Sequence, residues 1–149
     1  MLIGIPACLG PQLLCNLRAM GHGDEIALVD GNYPAQSHAA GAGGLVRADG
    51  LTLLPLLEAI LAVMPLDRFV EHAVLHSTVN GDGHTLAPVH REMRSLVERH
   101  LPRSAVAALP GEAFYARVGR AHTIVATSEP RLYSNVILRK GVIEPAIGI

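Results

Sequence analysis

The feature that most constrains the fold is the alternation of amphipathic segments with short apolar runs that end in turn residues. Leucines recur at helical spacing over 11–20, where Pro11 suits the first helical position, and again over 52–64. The first apolar run, 25–30, has the core Ile-Ala-Leu-Val and reads as a buried strand. Alternating helices and strands favour an α/β fold, a three-layer sandwich with a largely parallel central sheet.

The rest of the chain continues the same pattern. Further strands are predicted at 45–47, 73–79, 123–126 and 136–138, and further helices from Pro88 and over 112–120. Residues 104–109 fit either a strand or a loop. Residues 31–44, rich in Gly, Ala, Asn and Pro, are predicted to be a loop, unusually long for a compact domain. Since neither a repeat nor a shift in composition divides the chain, we expect one domain over 1–149.

Composition narrows the classes of partner. The 12 basic and 13 acidic residues give a net charge of −1, and there are only two Phe, three Tyr and no Trp, so nucleic acid is not expected. No apolar run reaches membrane-spanning length, and no signal-peptide pattern is present at the N-terminus, so we expect a cytoplasmic protein without membrane contact. Charged residues make up only 17 %, which favours apolar surface buried between subunits of a homo-oligomer.

Eight histidines raise the question of a metal site. His72 and His76 are four residues apart, but they flank a predicted strand, where that spacing corresponds to about 13 Å. The sequence has neither a His-Glu-x-x-His motif nor a cysteine pair at zinc-ligand spacing. Gly41-Ala-Gly-Gly44 lacks the Gly-Lys-Ser/Thr ending of a phosphate loop. We therefore expect no metal and no cofactor.

The stretch 20–35 places a histidine and a carboxylate at the two ends of the first strand. His22 lies in the turn before the apolar run, and Asp30 lies where the run ends. Imidazole exchanges protons near neutral pH, and a carboxylate can orient a sugar hydroxyl or an imidazole. The same residues could instead cap a helix and form a turn, and spacing alone leaves both interpretations open.

Several collinear motifs make the sequence resemble the L-fucose mutarotase family, which is related to D-ribose pyranase. The resemblance runs from about residue 2 to residue 143, and its motifs are Met20-Gly-His-Gly-Asp-Glu-Ile, Asp30-Gly-Asn-Tyr-Pro-Ala, Val46-Arg-Ala-Asp-Gly-Leu, Met64-Pro-Leu-Asp, Ala113-Phe-Tyr-Ala-Arg, Ile124-Val-Ala-Thr-Ser-Glu and Tyr133-Ser-Asn-Val-Ile-Leu-Arg-Lys-Gly-Val. It implies a sugar mutarotase that opens and closes the ring of a reducing monosaccharide by acid/base catalysis. L-fucose is the expected substrate.

The resemblance also implies roles for six residues. His22 would be the acid/base, Tyr133 the second catalytic group with Tyr115 as its alternative, and Asp30 a sugar-binding carboxylate. The remaining pocket residues would bind substrate: Asp67, Tyr115 and Asn135. His22 and Asp30 would then form one wall of a sugar pocket near a subunit contact, since similar proteins form ring-like or higher homo-oligomers.

Three alternatives remain open at this point: a D-ribose pyranase-type interconversion, a non-catalytic sugar-binding module of the same fold, and a structural oligomer without a ligand. The chain also departs from the family pattern after the first strand. It has Gln36 where the family often has histidine, then His38, a longer loop at 39–44, and Gly111 where some relatives carry arginine. We expect this region to influence sugar preference.

Overall fold

The structure, a computed structural model, describes residues 1–145 as five α-helices around a six-stranded sheet. The helices are α1 (Pro11–Ala19), α2 (Ala35–His38), α3 (Leu53–Leu61), α4 (Pro88–Val97) and α5 (Gly111–Arg120). The strands are β1 (Glu25–Val29), β2 (Gly44–Ala48), β3 (Val74–Ser77), β4 (Val106–Leu109), β5 (Thr123–Thr127) and β6 (Val136–Arg139). None of the helices in this part of the chain is long and apolar enough to cross a membrane.

The strands are ordered β2-β5-β1-β6-β3-β4 across the sheet. The pairs β2–β5, β5–β1 and β3–β4 are parallel, and β6 runs antiparallel to both of its neighbours. β1 and β5 lie in the interior of the sheet and are buried on both faces, as expected of continuous apolar runs. The predicted largely parallel sheet is confirmed.

Helices cover both faces of the sheet, which confirms the three-layer arrangement. On one face α1, α3 and α4 pack a large core that includes Leu17, Leu56 and Met93. On the other face α5 contributes Phe114 and Val118 to a smaller core. Helices α1 and α3 bury most of the leucines whose spacing predicted them.

Two segments differ from or refine the sequence predictions. The expected loop 31–44 contains the four-residue helix α2, and 104–109 resolves into a short 3₁₀ turn followed by strand β4. β4 lies at the edge of the sheet, and its Val106 pairs with Val74 of β3. Val106 and Val74 are 32 residues apart in the chain. The pairing that makes this segment a strand therefore cannot be predicted from local periodicity.

Candidate active site

A cavity of about 510 Å³ opens where β1, β3 and β4 end and β6 begins. Four of the six predicted site residues line it: Asp30, Tyr115, Tyr133 and Asn135. Asp30 directly follows β1, while Asn135 directly precedes β6. Since β6 is antiparallel to β1, its beginning meets the end of β1. The cavity therefore has the usual location of a ligand site in an open α/β sheet.

Asp30 and Asn135 form a buried carboxylate–carboxamide pair. The backbone N–H of Asp30 donates to Oδ1 of Asn135 at 2.9 Å, and Nδ2 of Asn135 donates to Oδ2 of Asp30 at 2.8 Å. The backbone N–H of Asn32 donates to Oδ1 of Asp30 at 3.0 Å. Both side chains are therefore held in place by hydrogen bonds within the protein, and both line the cavity.

Tyr133 has an unusual backbone for a bulky residue, with φ +63°. Its hydroxyl donates to Oδ1 of Asn80 at 2.6 Å. Asn80 itself has φ +50° and also lines the cavity. The phenol is thus held across the cavity mouth between the β5–β6 loop and the turn after β3.

Tyr115, on α5, is about half exposed and packs edge-on against Tyr33, with ring centroids 5.2 Å apart. The Tyr33 hydroxyl is 2.8 Å from Nδ1 of His38. Burial raises the pKa of Tyr33 and the nearby Tyr115 raises it further, so Tyr33 stays a neutral phenol. His38, one of the departures from the family pattern, therefore contacts Tyr33 in the cavity wall, whereas Gln36 is exposed on α2.

His22 and Asp67 lie together at the opposite end of the strands from the cavity, where β1 begins and β6 ends. Nε2 of His22 is 3.1 Å from Oδ2 of Asp67, which also accepts from Nε of Arg139 at 2.9 Å. The backbone N–H of Phe69 donates to the other oxygen, Oδ1, at 2.9 Å. Asp67 is 1 % exposed and the His22 side chain 46 %.

The charge on Asp67 is secured by its hydrogen bonds. Burial alone would raise the pKa of this carboxyl, but the Phe69 N–H, Arg139 and His22 outweigh it, and the pKa is lowered. An ionised carboxylate only accepts hydrogen bonds, so Nε2 of His22 must carry the proton. Nδ1 of His22 is then the ring atom left to take a proton from a ligand.

The backbone explains why this histidine and Asp30 do not meet within the chain. The N–H of Gly23 donates to the Lys140 carbonyl, and that of Asp67 donates to the Arg139 carbonyl, both at the end of β6. The five-residue strand β1 separates this end from Asp30, by roughly 13 Å at the usual rise per residue. The structure thus groups the six predicted residues into two sets, His22 with Asp67 and the four cavity residues.

Three further residues contact members of these two sets, although the sequence assigned them no role: Arg139, Asn80 and Tyr33. Arg139 lies within a quoted motif, but only the packing of β6 beside the turn before β3 brings it to Asp67. Asn80 contacts Tyr133, and Tyr33 contacts Tyr115, and both also line the cavity. Positive-φ positions such as Asn80 are enriched in Asn, so Asn80-Gly81 signalled a turn without indicating a site.

Within residues 1–145, no group of three or more His, Cys, Asp and Glu side chains is arranged to hold a metal ion. The oxygen and nitrogen atoms around the cavity instead suit a small polyhydroxy molecule, which needs several fixed donors and acceptors. The fold and this cavity together define a three-layer α/β protein in which a carboxylate, a carboxamide and tyrosines line one cavity at the strand ends.

Comparison with known proteins identifies the family. The family model of the RbsD / FucU transport protein family matches residues 3–143, and the chain belongs to this family. The human fucose mutarotase is 44 % identical over 143 residues, which cover 94 % of this chain and 93 % of that protein.

Solved structures agree with this assignment. The fucose mutarotase from Streptococcus pneumoniae, solved in complex with L-fucose, is 41 % identical with a TM-score of 0.88, covering 96 % of this chain and 100 % of that one. Bacillus subtilis RbsD, solved with D-ribose, shares the fold at a TM-score of 0.69 and 20 % identity, covering 91 % and 95 % of the two chains.

Proposed function

We propose that this protein is an isomerase that interconverts the α and β anomers of L-fucose. The observation that carries the proposal is the fixed Asp30–Asn135 pair beside Tyr133 in one cavity, in a chain that is 44 % identical to human fucose mutarotase. The expected setting is the cytoplasm, and the free state of Cys8 and Cys15 is usual for a reducing compartment.

Mutarotation requires two proton transfers. A base removes the proton of the anomeric hydroxyl, the O1 lone pair forms the carbonyl, and the bond between C1 and the ring oxygen breaks. An acid delivers a proton to that ring oxygen. Rotation about C1–C2 and the reverse steps on the other carbonyl face give the second anomer. Each positioned acid or base typically contributes 10²–10⁴-fold.

In this proposal Asp30 and Asn135 bind sugar hydroxyls, and Tyr133 is one of the two proton-transfer groups. Asp30 accepts hydrogen bonds, while Asn135 can both donate and accept. Tyr115 lies at the rim of the same cavity and offers an aromatic face to the apolar side of the sugar. A Cβ placed at Gly111 meets nothing within 4 Å, so this rim is open and can accommodate variation in the sugar.

We propose that the second proton-transfer group is His22 of a neighbouring copy. Within one subunit His22 is too far from the cavity, yet it is half exposed, and its tautomer is fixed by Asp67. In this role Asp67 acts on substrate through His22, which refines the sugar-binding role implied by the resemblance. One complete site would then combine the His22 edge of one subunit with the cavity of the next.

Exposed apolar side chains support this assembly. Phe69 packs edge-on against His22 with ring centroids 5.9 Å apart and is 69 % exposed, while Leu132 at the cavity rim is 62 % exposed. Joining the two edges would remove both side chains from water. Because two different surfaces meet, the contact is heterologous, and its closed form is a ring.

The proposal is tested by saturation-transfer NMR on the two anomeric proton signals of L-fucose, with D-ribose measured in parallel. We expect transfer between the L-fucose anomers to accelerate with enzyme concentration and to fall by about 10²-fold or more in His22→Ala. Broadened sugar signals without faster exchange would instead identify a binding module. Faster pyranose–furanose exchange of D-ribose alone would identify the pyranase-type activity.

A further inference from the structure

A buried pair of histidines lies behind Tyr133, outside the cavity. His76 of β3 and His90 of α4 stack with ring centroids 4.1 Å apart and an interplanar angle of 28°. Both are 0 % exposed. Neither belongs to the residues that line the cavity, and neither has a part in the proton transfers proposed above.

Hydrogen bonds assign a proton to one nitrogen of each ring. Nδ1 of His76 lies 2.9 Å from the Ser77 carbonyl, so it must donate, and Nε2 accepts from Nη2 of Arg94 at 2.9 Å. Nε2 of His90 donates to the Tyr133 carbonyl at 2.9 Å, and Nδ1 accepts from the Ala87 N–H at 3.3 Å. The two rings are therefore neutral and of opposite tautomers, and all four nitrogens are used.

The surroundings keep both rings neutral. Burial lowers the pKa of His76 to about 4 against the opposing hydrogen bond to the Ser77 carbonyl, and the adjacent His90 and Arg94 lower it further. Burial also lowers the pKa of His90, because it outweighs the hydrogen bond to the Tyr133 carbonyl, which raises the pKa, and Arg94 lowers it further. Arg103 and Glu98 are the charged groups that act on Arg94 itself. At neutral pH the His90 ring is thus a fixed hydrogen-bond donor.

The acceptor of that hydrogen bond is a residue with a strained backbone. Tyr133 has φ +63°, a conformation that non-glycine residues hold only when their surroundings impose it. Its carbonyl accepts from Nε2 of His90 at 2.9 Å and from Oγ of Ser77 at 3.2 Å. At the other end of the residue, the hydroxyl is fixed by Asn80.

We infer that His90 is a positioning residue for the proton transfer at Tyr133, acting through the Tyr133 carbonyl. This inference rests on the proposed function. The imidazole Nε2–H holds the left-handed backbone of Tyr133, and that backbone directs the phenol across the cavity. His76 supports the His90 ring by stacking. Without the donor, only Ser77 remains to hold the carbonyl, and the phenol loses its defined position.

The test compares His90→Leu with His90→Gln. The Gln side-chain amide can place an N–H donor near the position of imidazole Nε2, whereas Leu fills space without donating. In His90→Leu we expect the exchange rate at saturating L-fucose to fall roughly tenfold or more, since small misplacements of catalytic groups have effects of this size. The half-saturating concentration should change little, and His90→Gln should restore most of the rate.

Two controls separate positioning from simple packing. His84→Leu alters an exposed histidine in the turn after β3 and should leave the rate unchanged. His90→Leu should cause no further loss in a Tyr133→Phe background, because it acts through the tyrosine hydroxyl. Equal loss of thermal midpoint in the Leu and Gln variants, with an unchanged saturating rate in both, would show a purely structural role and overturn the inference.

A readout that needs no activity keeps the inference separate from the proposed function. The chain has three tyrosines, so selective ¹³C-tyrosine labelling gives three ring signals, and Tyr133→Phe assigns one of them. This signal should shift or broaden in His90→Leu and return in His90→Gln. An unchanged signal in His90→Leu refutes the positioning role, whereas a wild-type protein that does not accelerate fucose exchange refutes the proposed function alone.

Discussion

Mixing two inactive variants tests whether one site is built from two copies. His22→Ala removes the imidazole from one edge of the sheet, and Tyr133→Phe removes the phenol from the cavity at the other edge. Each variant alone is expected to lose about 10²-fold or more in fucose exchange rate. In the proposed ring, a hetero-oligomer can nevertheless contain a site with an intact imidazole from one copy and an intact phenol from the next.

The expected activity of the mixture follows from the placement of the two residues in different subunits of the proposed ring. With equal amounts of both variants and random assembly, each half of a site is intact with a probability of about one half, so about a quarter of the sites have both groups. The expected specific activity is therefore roughly a quarter of that of the wild type. If both groups acted within one subunit, no site would be intact, and the mixture would be as inactive as its components.

The assay requires proof that the subunits mix. Both variants are co-expressed with different affinity tags, hetero-oligomers are isolated by sequential purification, and anomer exchange is measured by saturation-transfer NMR. The control pair is Asp30→Asn with Tyr133→Phe, two changes in the same cavity, which should show no recovery. Hetero-oligomers of His22→Ala with Tyr133→Phe that remain inactive would refute the composite site.

Two further predictions concern stability. Because the folded-state pKa of His76 is about 4 against a reference value of 6.5, its contribution to stability is complete above pH 6.5 and is lost as pH falls toward 4, by about 3 kcal/mol. Urea midpoints at fixed protein concentration should show this loss, and His76→Met should reduce it to the smaller part that comes from other groups such as His90, whose pKa is also lowered. Glu129 is 1 % exposed and accepts from Leu53 at the start of α3 and from Arg131, so Glu129→Gln should cost about 2 kcal/mol. Glu92→Gln, at the exposed partner of the same arginine, should stay within about 0.5 kcal/mol of wild type, and equal losses would contradict this reasoning.

The sequence predicted the layers and most element positions because local pattern determines them. Helix α1 begins at Pro11, as predicted, and the apolar run before Asp30 is the central strand β1. Local pattern does not distinguish strand from loop over 104–109, because this Ala-rich segment has no clear period, and only the pairing with β3 makes it strand β4. The same applies to α2, a single short helix within a segment whose composition predicts a loop.

Only part of the site could be predicted from the sequence, again because local pattern does not determine which strands pair. The motifs identified which residues belong to a site, and four of them do line one cavity. Their grouping was not predictable from local pattern, because it depends on the antiparallel placement of β6, which brings Asn135 to Asp30 at one edge and Arg139 to Asp67 at the other. The stacked pair of His76 and His90 also depends on tertiary contact between β3 and α4.

The stretch 20–35 has β1 at its centre, so His22 and Asp30 lie at opposite ends of a buried strand. This separation links the proposed proton transfer to the proposed assembly. A buried central strand is rigid, so the distance between its two ends cannot close by a loop movement within one subunit. In the proposed ring, the neighbouring copy supplies the missing edge, and the apolar Phe69 and Leu132 become part of the contact that delivers His22. A charged fraction of only 17 % is consistent with such a contact. Because the two contact surfaces differ, each copy gives its His22 to one neighbour and receives another from the opposite side. Every cavity has a partner histidine only when the ring is closed, and an open chain would leave one cavity incomplete.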